Sequence, residues 1–172
     1  MDYDLIVIGS GPGGYVAAIR ASQLKMKVAV VERAEIGGIC LNWGCIPTKS
    51  LLKSSQVLDY MNHASDYGIR IEGEVKPDFG AIIARSRSVA EAMSKGVQFL
   101  FRKNNIELIA GYGTLVDNKT IEVEGTDGQK KKYLTKNIIF ATGARSKELP
   151  GLPQQTETVS EELGIKAQLP AL

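Results

Sequence analysis

The chain has 172 residues, 44% of them hydrophobic and 23% charged, with 21 basic and 19 acidic side chains and a formal net charge of +2. That composition is ordinary for a chain with a packed core, and the charge balance is too even to point to nucleic acid or an anionic membrane as a partner. No apolar run approaches the roughly 20 residues that span a bilayer, and the acidic start Met1-Asp2-Tyr3-Asp4 lacks the basic lead of a secretory signal.

Residues 3–8, YDLIVI, are apolar on both alternating faces, which predicts a strand buried in a parallel sheet. The run Gly9-Ser10-Gly11-Pro12-Gly13-Gly14 follows, then a helical stretch over about 15–24 that carries the small residues Ala17, Ala18 and Ala21. Residues 27–31, KVAVV, form a second buried strand closed by Glu32, which completes a β-α-β unit. A loop holding Cys40 and Cys45 comes next, and Pro47 suits the first turn of a helix through Leu51, Leu52, Val57 and Leu58. Ile82, Ile83, Val89, Met93, Val97, Leu100 and Phe101 recur at helical spacing and predict a long helix over 79–103.

From Ile106 the pattern changes to short strands: IELIAG, YGTLV, a turn at Asp117-Asn118, then TIEVEG. Lys130-Lys131-Lys132 follow Gly125-Thr126-Asp127-Gly128 and read as the solvated arm of a hairpin. YLTKNIIFATGA ends in an apolar strand over 138–141. The expected fold is α/β and Rossmann-like, with a parallel sheet, a long helical pair and a small antiparallel meander inserted before the final parallel strand. Residues 1–150 form the expected domain, and 151–172, with little periodicity, read as a connector.

Gly9-x-Gly11-x-x-Gly14 alone is a weak signal, but here it follows a strand, opens a helix and is answered by the acid Glu32. Gly9 allows the tight turn, Gly11 lets backbone approach a pyrophosphate, and Gly14 lets helix and strand pack closely. The helix N-terminus offers N–H groups and a positive dipole end to phosphates. Glu32 suits ribose hydroxyls and disfavours a 2′-phosphate. Whether the dinucleotide is FAD or NAD does not follow from this loop.

Cys40 and Cys45 are the only two cysteines. Zinc needs about four ligands, and the one histidine, His63, lies far along the next helix. A staple across so short a loop constrains little of the unfolded chain. Two cysteines without a recognised secretory signal lead us to expect a reducing compartment, where a persistent structural disulfide is disfavoured. Redox chemistry fits better, because a short exposed loop beside a helix N-terminus lowers a thiol pKa. A dithiol beside a hydride-carrying cofactor is a route for electrons.

GGICLNWGCIPTKSLL, with the start DYDLIVIGSGPGGYVAA, resembles the flavin-dependent pyridine nucleotide–disulfide oxidoreductases, and within them the branch that oxidises protein-bound dihydrolipoamide. The resemblance runs from residue 2 to about residue 153. Glutathione- and mercury-reducing members share the cysteine spacing but typically differ around Pro47-Thr48-Lys49, and a stand-alone flavin-binding module is the remaining alternative.

The resemblance implies that Gly9, Gly11, Pro12, Gly14, Glu32, Arg33 and Gly38 contact FAD. Cys40 matches the thiol that exchanges with substrate, Cys45 the thiol beside the flavin, and Lys49 the lysine next to the flavin ring. Gly113 matches a backbone contact to the adenine portion, and Ala141-Thr142-Gly143 a segment close to FAD. Judged without the resemblance, Gly113 and Gly143 are turn residues. Electrons are then expected to pass from dihydrolipoamide to the Cys40–Cys45 disulfide, through flavin, to NAD⁺. Partners implied are lipoyl domains of 2-oxo acid dehydrogenase or glycine cleavage complexes and a second copy of the enzyme, in bacterial cytoplasm or the mitochondrial matrix.

Members of the family also carry a second glycine-rich unit for NAD, a dimerisation domain that supplies a histidine base, and a later Gly-Asp strand completing the flavin domain. None of these is recognised here, and His63 does not match the base. The expectation is an incomplete enzyme that does not turn over by itself and keeps an open sheet edge.

Overall fold

A computed structural model describes residues 1–144 of the chain. The expected connector from 151 onward lies outside the described residues. Four strands form a parallel sheet: β1 (Tyr3–Ile8), β2 (Val28–Glu32), β3 (Glu107–Ala110) and the second half of β6 (Lys130–Phe140). β4 (Tyr112–Asp117), β5 (Thr120–Glu124) and the first half of β6 form an antiparallel meander, giving the order β3-β2-β1-β6-β5-β4. Helix α1 (Pro12–Gln23) connects β1 to β2. Helices α2 (Gly38–Asn42), α3 (Cys45–Asn62) and α4 (Phe79–Lys103), with a 3₁₀ turn at Ala64–Tyr67, connect β2 to β3.

Strand alternation explains why the first two strands are apolar throughout. Leu5, Val7, Val28 and Val30 pack against Ala18, Ala21, Val97 and Phe101 of the helices. Ile6, Ile8, Ala29 and Val31 face the other way and pack with Ile109, Ile121 and Val123. The parallel sheet is therefore the middle of three layers, with helices on one face and the meander on the other. The expected α/β class holds, and the helix predicted over 79–103 has those bounds. The helical pair is tied by Arg85, whose guanidinium donates to Ser50 Oγ at 2.7 Å.

Two strands depart from expectation. The segment at 106–111 is not the first arm of the meander but the outer parallel strand, with Ala29 opposite Glu107 and Glu32 opposite Ala110. As an edge strand with only Ile109 buried, it lacks the two-sided apolar run of β1 and β2. Tyr3 Oη donates to Glu107 Oε2 at 2.6 Å and ties this edge to the start of β1. Burial and the Glu107 carboxylate push the Tyr3 phenol far above its ordinary pKa.

The final strand, expected at 138–141, starts at Lys130 and ends at Phe140. Its first half pairs with β5 and is exposed, as the hairpin reading requires, with Lys130 Nζ between Glu122 and Glu124 at 3.5 and 3.4 Å. Its second half pairs with β1. Beyond Leu134 the outer side of β6 has no strand partner among the described residues, and Phe140 is 59% exposed there.

Ile121 is fully buried where the meander meets the parallel sheet. Ile121→Ala should cost about 2–5 kcal/mol, read as a lowered midpoint in urea unfolding. The exposed neighbour Leu115 serves as the control, its alanine variant costing less than about 1 kcal/mol.

Candidate dinucleotide and redox site

The carboxyl ends of β1, β2 and β6 lie side by side, with Ile8 opposite both Val31 and Phe140. This is the edge at which parallel sheets receive ligands. Gly9 turns the chain with φ +99°, and a Cβ there would lie 2.3 Å from the Ala141 oxygen. A Cβ on Gly14 would lie 1.9 Å from the Gly9 oxygen, so α1 rests directly on the turn. Gly11 differs from both. Its φ is −62°, and an added Cβ would meet nothing within 4 Å. Nothing among the described residues requires glycine at 11; the open space beside it suits the backbone approach of a ligand.

Among the described residues no side chain caps α1, and its first turn carries no acid, so the N–H groups of Gly13 and Gly14 have no side-chain acceptor there. α4 contrasts, with Asp78 accepting from Ala81 N at 2.9 Å. The bare end of α1 and the open face of Gly11 fit a pyrophosphate.

Glu32 stands at the end of β2, and Gly111 N donates to its carbonyl at 2.8 Å, bringing the start of β4 alongside. Its carboxylate accepts from Ser10 N at 2.8 Å and Ser10 Oγ at 2.6 Å on Oε2, and from Ala34 N at 2.9 Å on Oε1. Ser10 occupies the unspecified position of the glycine motif, which is why sequence reasoning passed over it. Arg33 lies over the ring of Tyr112 at 5.9 Å, next to Gly113.

The cysteine segment was expected to be a loop, and it folds as two helices. Gly37 and Gly38 both take positive φ and open α2, and Cys40 is its third residue. Asn42 Nδ2 donates to the carbonyls of Ile36 at 3.0 Å and Gly38 at 2.9 Å, locking this one-turn helix. Trp43 and Gly44 then bond back to the Ile39 carbonyl, and Cys45 begins α3, two residues before the buried Pro47. Loop-like glycines and a side-chain lock account for the missed helix.

Both cysteines are free thiols, Cys40 half-buried and Cys45 exposed. Cys45, as hydrogen-bond partner of Cys40, pushes the Cys40 thiol above its ordinary pKa, with burial adding to the rise. The Lys49 ammonium, one turn beyond Cys45 on α3, opposes it. For Cys40, then, the expectation of a lowered thiol pKa is reversed, because a neighbouring sulfur outweighs the nearby cation. Gly38 brings this pair to the glycine turn: a Cβ on it would lie 2.9 Å from Gly11 Cα.

Ala141 N donates to the Ile8 carbonyl at 2.8 Å, and Ala141 and Thr142 border Gly9. Gly143 follows with φ +75°, as a turn residue does. Gly113 is not in a turn; it is the second residue of β4, where a Cβ would press on Val31 and Ile8 at 3.1 and 3.5 Å. Glycine there lets the meander lie close over the sheet. His63 caps the far end of α3, about 27 Å along the helix from Cys45, so α3 keeps it away from the thiols. Among the described residues no three His, Cys, Asp or Glu side chains cluster closely enough to hold a metal ion.

Two outcomes follow from this geometry. Gly14→Ala should destabilise the chain by about 3 kcal/mol or more in urea unfolding, whereas Gly11→Ala should leave the midpoint within about 0.5 kcal/mol yet weaken dinucleotide binding. Because Cys45 raises the Cys40 pKa, removing it should lower that pKa. Alkylation of Cys40 by iodoacetamide should then show its rate midpoint at lower pH in Cys45→Ala than in a form carrying both thiols.

Residues 3–168 match the pyridine nucleotide-disulphide oxidoreductase family. The chain is 56% identical over 152 residues to the dihydrolipoyl dehydrogenase of Zymomonas mobilis, covering 87% of this chain and 32% of that protein. It is 50% identical over 170 residues to the dihydrolipoyl dehydrogenase of Rhizobium etli and 41% identical over 170 residues to that of Chlorobaculum tepidum, covering 34% and 36% of those proteins. It spans about a third of the length of these curated relatives. The chain belongs to the pyridine nucleotide-disulphide oxidoreductase family.

Proposed function

We propose that this chain is the FAD-holding, disulfide-bearing part of a dihydrolipoyl dehydrogenase. The observation that carries the reading is the contact of Gly38 with Gly11, which sets the Cys40 helix against the open glycine turn. A dinucleotide seated on that turn lies beside the thiol pair. FAD, when bound, supplies a two-electron acceptor and donor between dithiol chemistry and NAD⁺.

The chain's own residues divide the remaining work. The N–H groups at the start of α1 hold the pyrophosphate, and Glu32 takes the ribose hydroxyls. The substrate dithiol, a dihydrolipoyl group carried by a partner protein of a 2-oxo acid dehydrogenase complex, attacks the Cys40–Cys45 disulfide at the Cys40 sulfur. The S–S bond breaks, and the Cys45 sulfur leaves as a thiolate carrying the electron pair. The second substrate thiol then displaces Cys40 and closes the substrate disulfide, so two electrons have entered the pair. Cys45 and burial together raise the Cys40 pKa, so after the exchange the Cys40 sulfur keeps a proton more readily than an ordinary thiol. Lys49, one turn along α3 from Cys45, places a cation on the same helix face for negative charge developing there.

The test is the visible spectrum of the purified chain after incubation with FAD and removal of unbound flavin. Retained flavin and a new long-wavelength absorbance on adding dithiothreitol are expected. That absorbance should vanish in Cys45→Ala and persist in Cys40→Ala. A chain that stays colourless with excess FAD overturns the reading that this segment holds FAD by itself.

A further inference from the structure

We propose that Ser10 is a positioning residue for the ribose-binding carboxylate, and that its hydroxyl sets how strongly the site selects an adenine nucleotide with intact ribose hydroxyls; this rests on the dinucleotide reading above. Ser10 is completely buried. Its Oγ accepts from Gly37 N at 3.1 Å, an N–H that can only donate. The single proton on Oγ therefore goes to Glu32 Oε2, 2.6 Å away. Ser10 N donates to the same oxygen at 2.8 Å, and Ala34 N holds the other oxygen at 2.9 Å.

Three donors thus fill about three of the roughly four lone-pair positions of an ionised carboxylate and fix its plane. The remaining capacity is what a ribose hydroxyl can use. Terminal rotation of a glutamate carboxylate is otherwise soft, so this side chain would sample many planes without such ties. Ala34 lies only two residues along the same chain segment, which leaves Ser10, twenty-two positions away, as the external reference. The same hydroxyl fixes Gly37, the residue before α2, so one buried oxygen aligns the acid and the entry to the cysteine helix.

The measurement is binding of ADP and of 2′,3′-dideoxyadenosine diphosphate to the purified chain by titration calorimetry, with Ser10→Ala and Glu32→Gln alongside. The unaltered chain should prefer ADP by about tenfold or more, the scale of a hydrogen bond to a charged group. Ser10→Ala should reduce that preference to about threefold or less, and should add nothing further in the Glu32→Gln background. A merely structural serine would weaken both nucleotides by one factor and leave the ratio unchanged, and that outcome overturns the proposal. Binding of neither nucleotide by the unaltered chain would remove the dinucleotide reading, and this proposal with it. Ser10→Cys, whose thiol is a weak donor, answers the same question should the alanine variant not accumulate, with an unchanged ratio again overturning it.

Discussion

The structure depends on one close approach, that of α1 to the turn after β1. A Cβ on Gly14 would sit 1.9 Å from the Gly9 oxygen, and a Cβ on Gly9 would sit 2.3 Å from the Ala141 oxygen. Three backbone segments therefore meet with no side chain between them. Because they meet, the bare start of α1, the end of β6 and the acid at the end of β2 share one edge of the sheet. Gly11 stands in the same motif for a different reason, since its missing side chain leaves space that none of the described residues fills. A single glycine pattern thus contains packing and binding positions, and only the atoms around each one separate them.

Polarity is distributed in keeping with that edge. The helix that begins away from the site is capped by its own aspartate, while α1 and α3 begin at the site without a side-chain cap. Leaving donors bare costs some stability, about 1 kcal/mol for each missing cap, and reserves them for another partner. The cysteines are unequal for the same kind of reason. Cys40 is half-buried and has its proton held by its neighbour, whereas Cys45 is exposed at the head of a long helix. Two identical thiols acquire different chemistry from their places alone.

Much of this was legible in the sequence. Period and length reveal α4 to the residue, and the two-sided apolar runs reveal β1 and β2, because burial on both faces leaves no other pattern. The motif from Gly9 to Gly14, Glu32 and the cysteine pair were visible as residue types at a spacing. What was not legible depends on contacts remote in sequence. β3 has the composition of a hairpin arm because it lies at an edge, and only its pairing with β2 assigns it to the parallel sheet. The polar start of β6 hides the length of that strand, since lysines suit its exposed half and apolar residues its inner half. The helix around Cys40 needs Asn42 bonding back to Ile36 and Gly38, a lock that no periodicity announces. Ser10 is the sharpest case. Its role exists only because Glu32 and Gly37, more than twenty positions away, fold against it.

The double membership of β6 governs how the chain must be built. Among the described residues β1 is the first strand and the strand that completes its pairing is the last, and the bond from Leu134 N to Asp2 spans 132 positions. At a synthesis rate of about 5–20 residues per second, the apolar run YDLIVI waits on the order of ten seconds for that neighbour. Its pairing with β2 is available early, but its other edge stays open until Phe140 has left the ribosome. Loop closure over such a distance makes the β1–β6 pairing the slow one to form. During that interval the nascent chain presents an apolar strand edge, the kind of surface that holding chaperones protect.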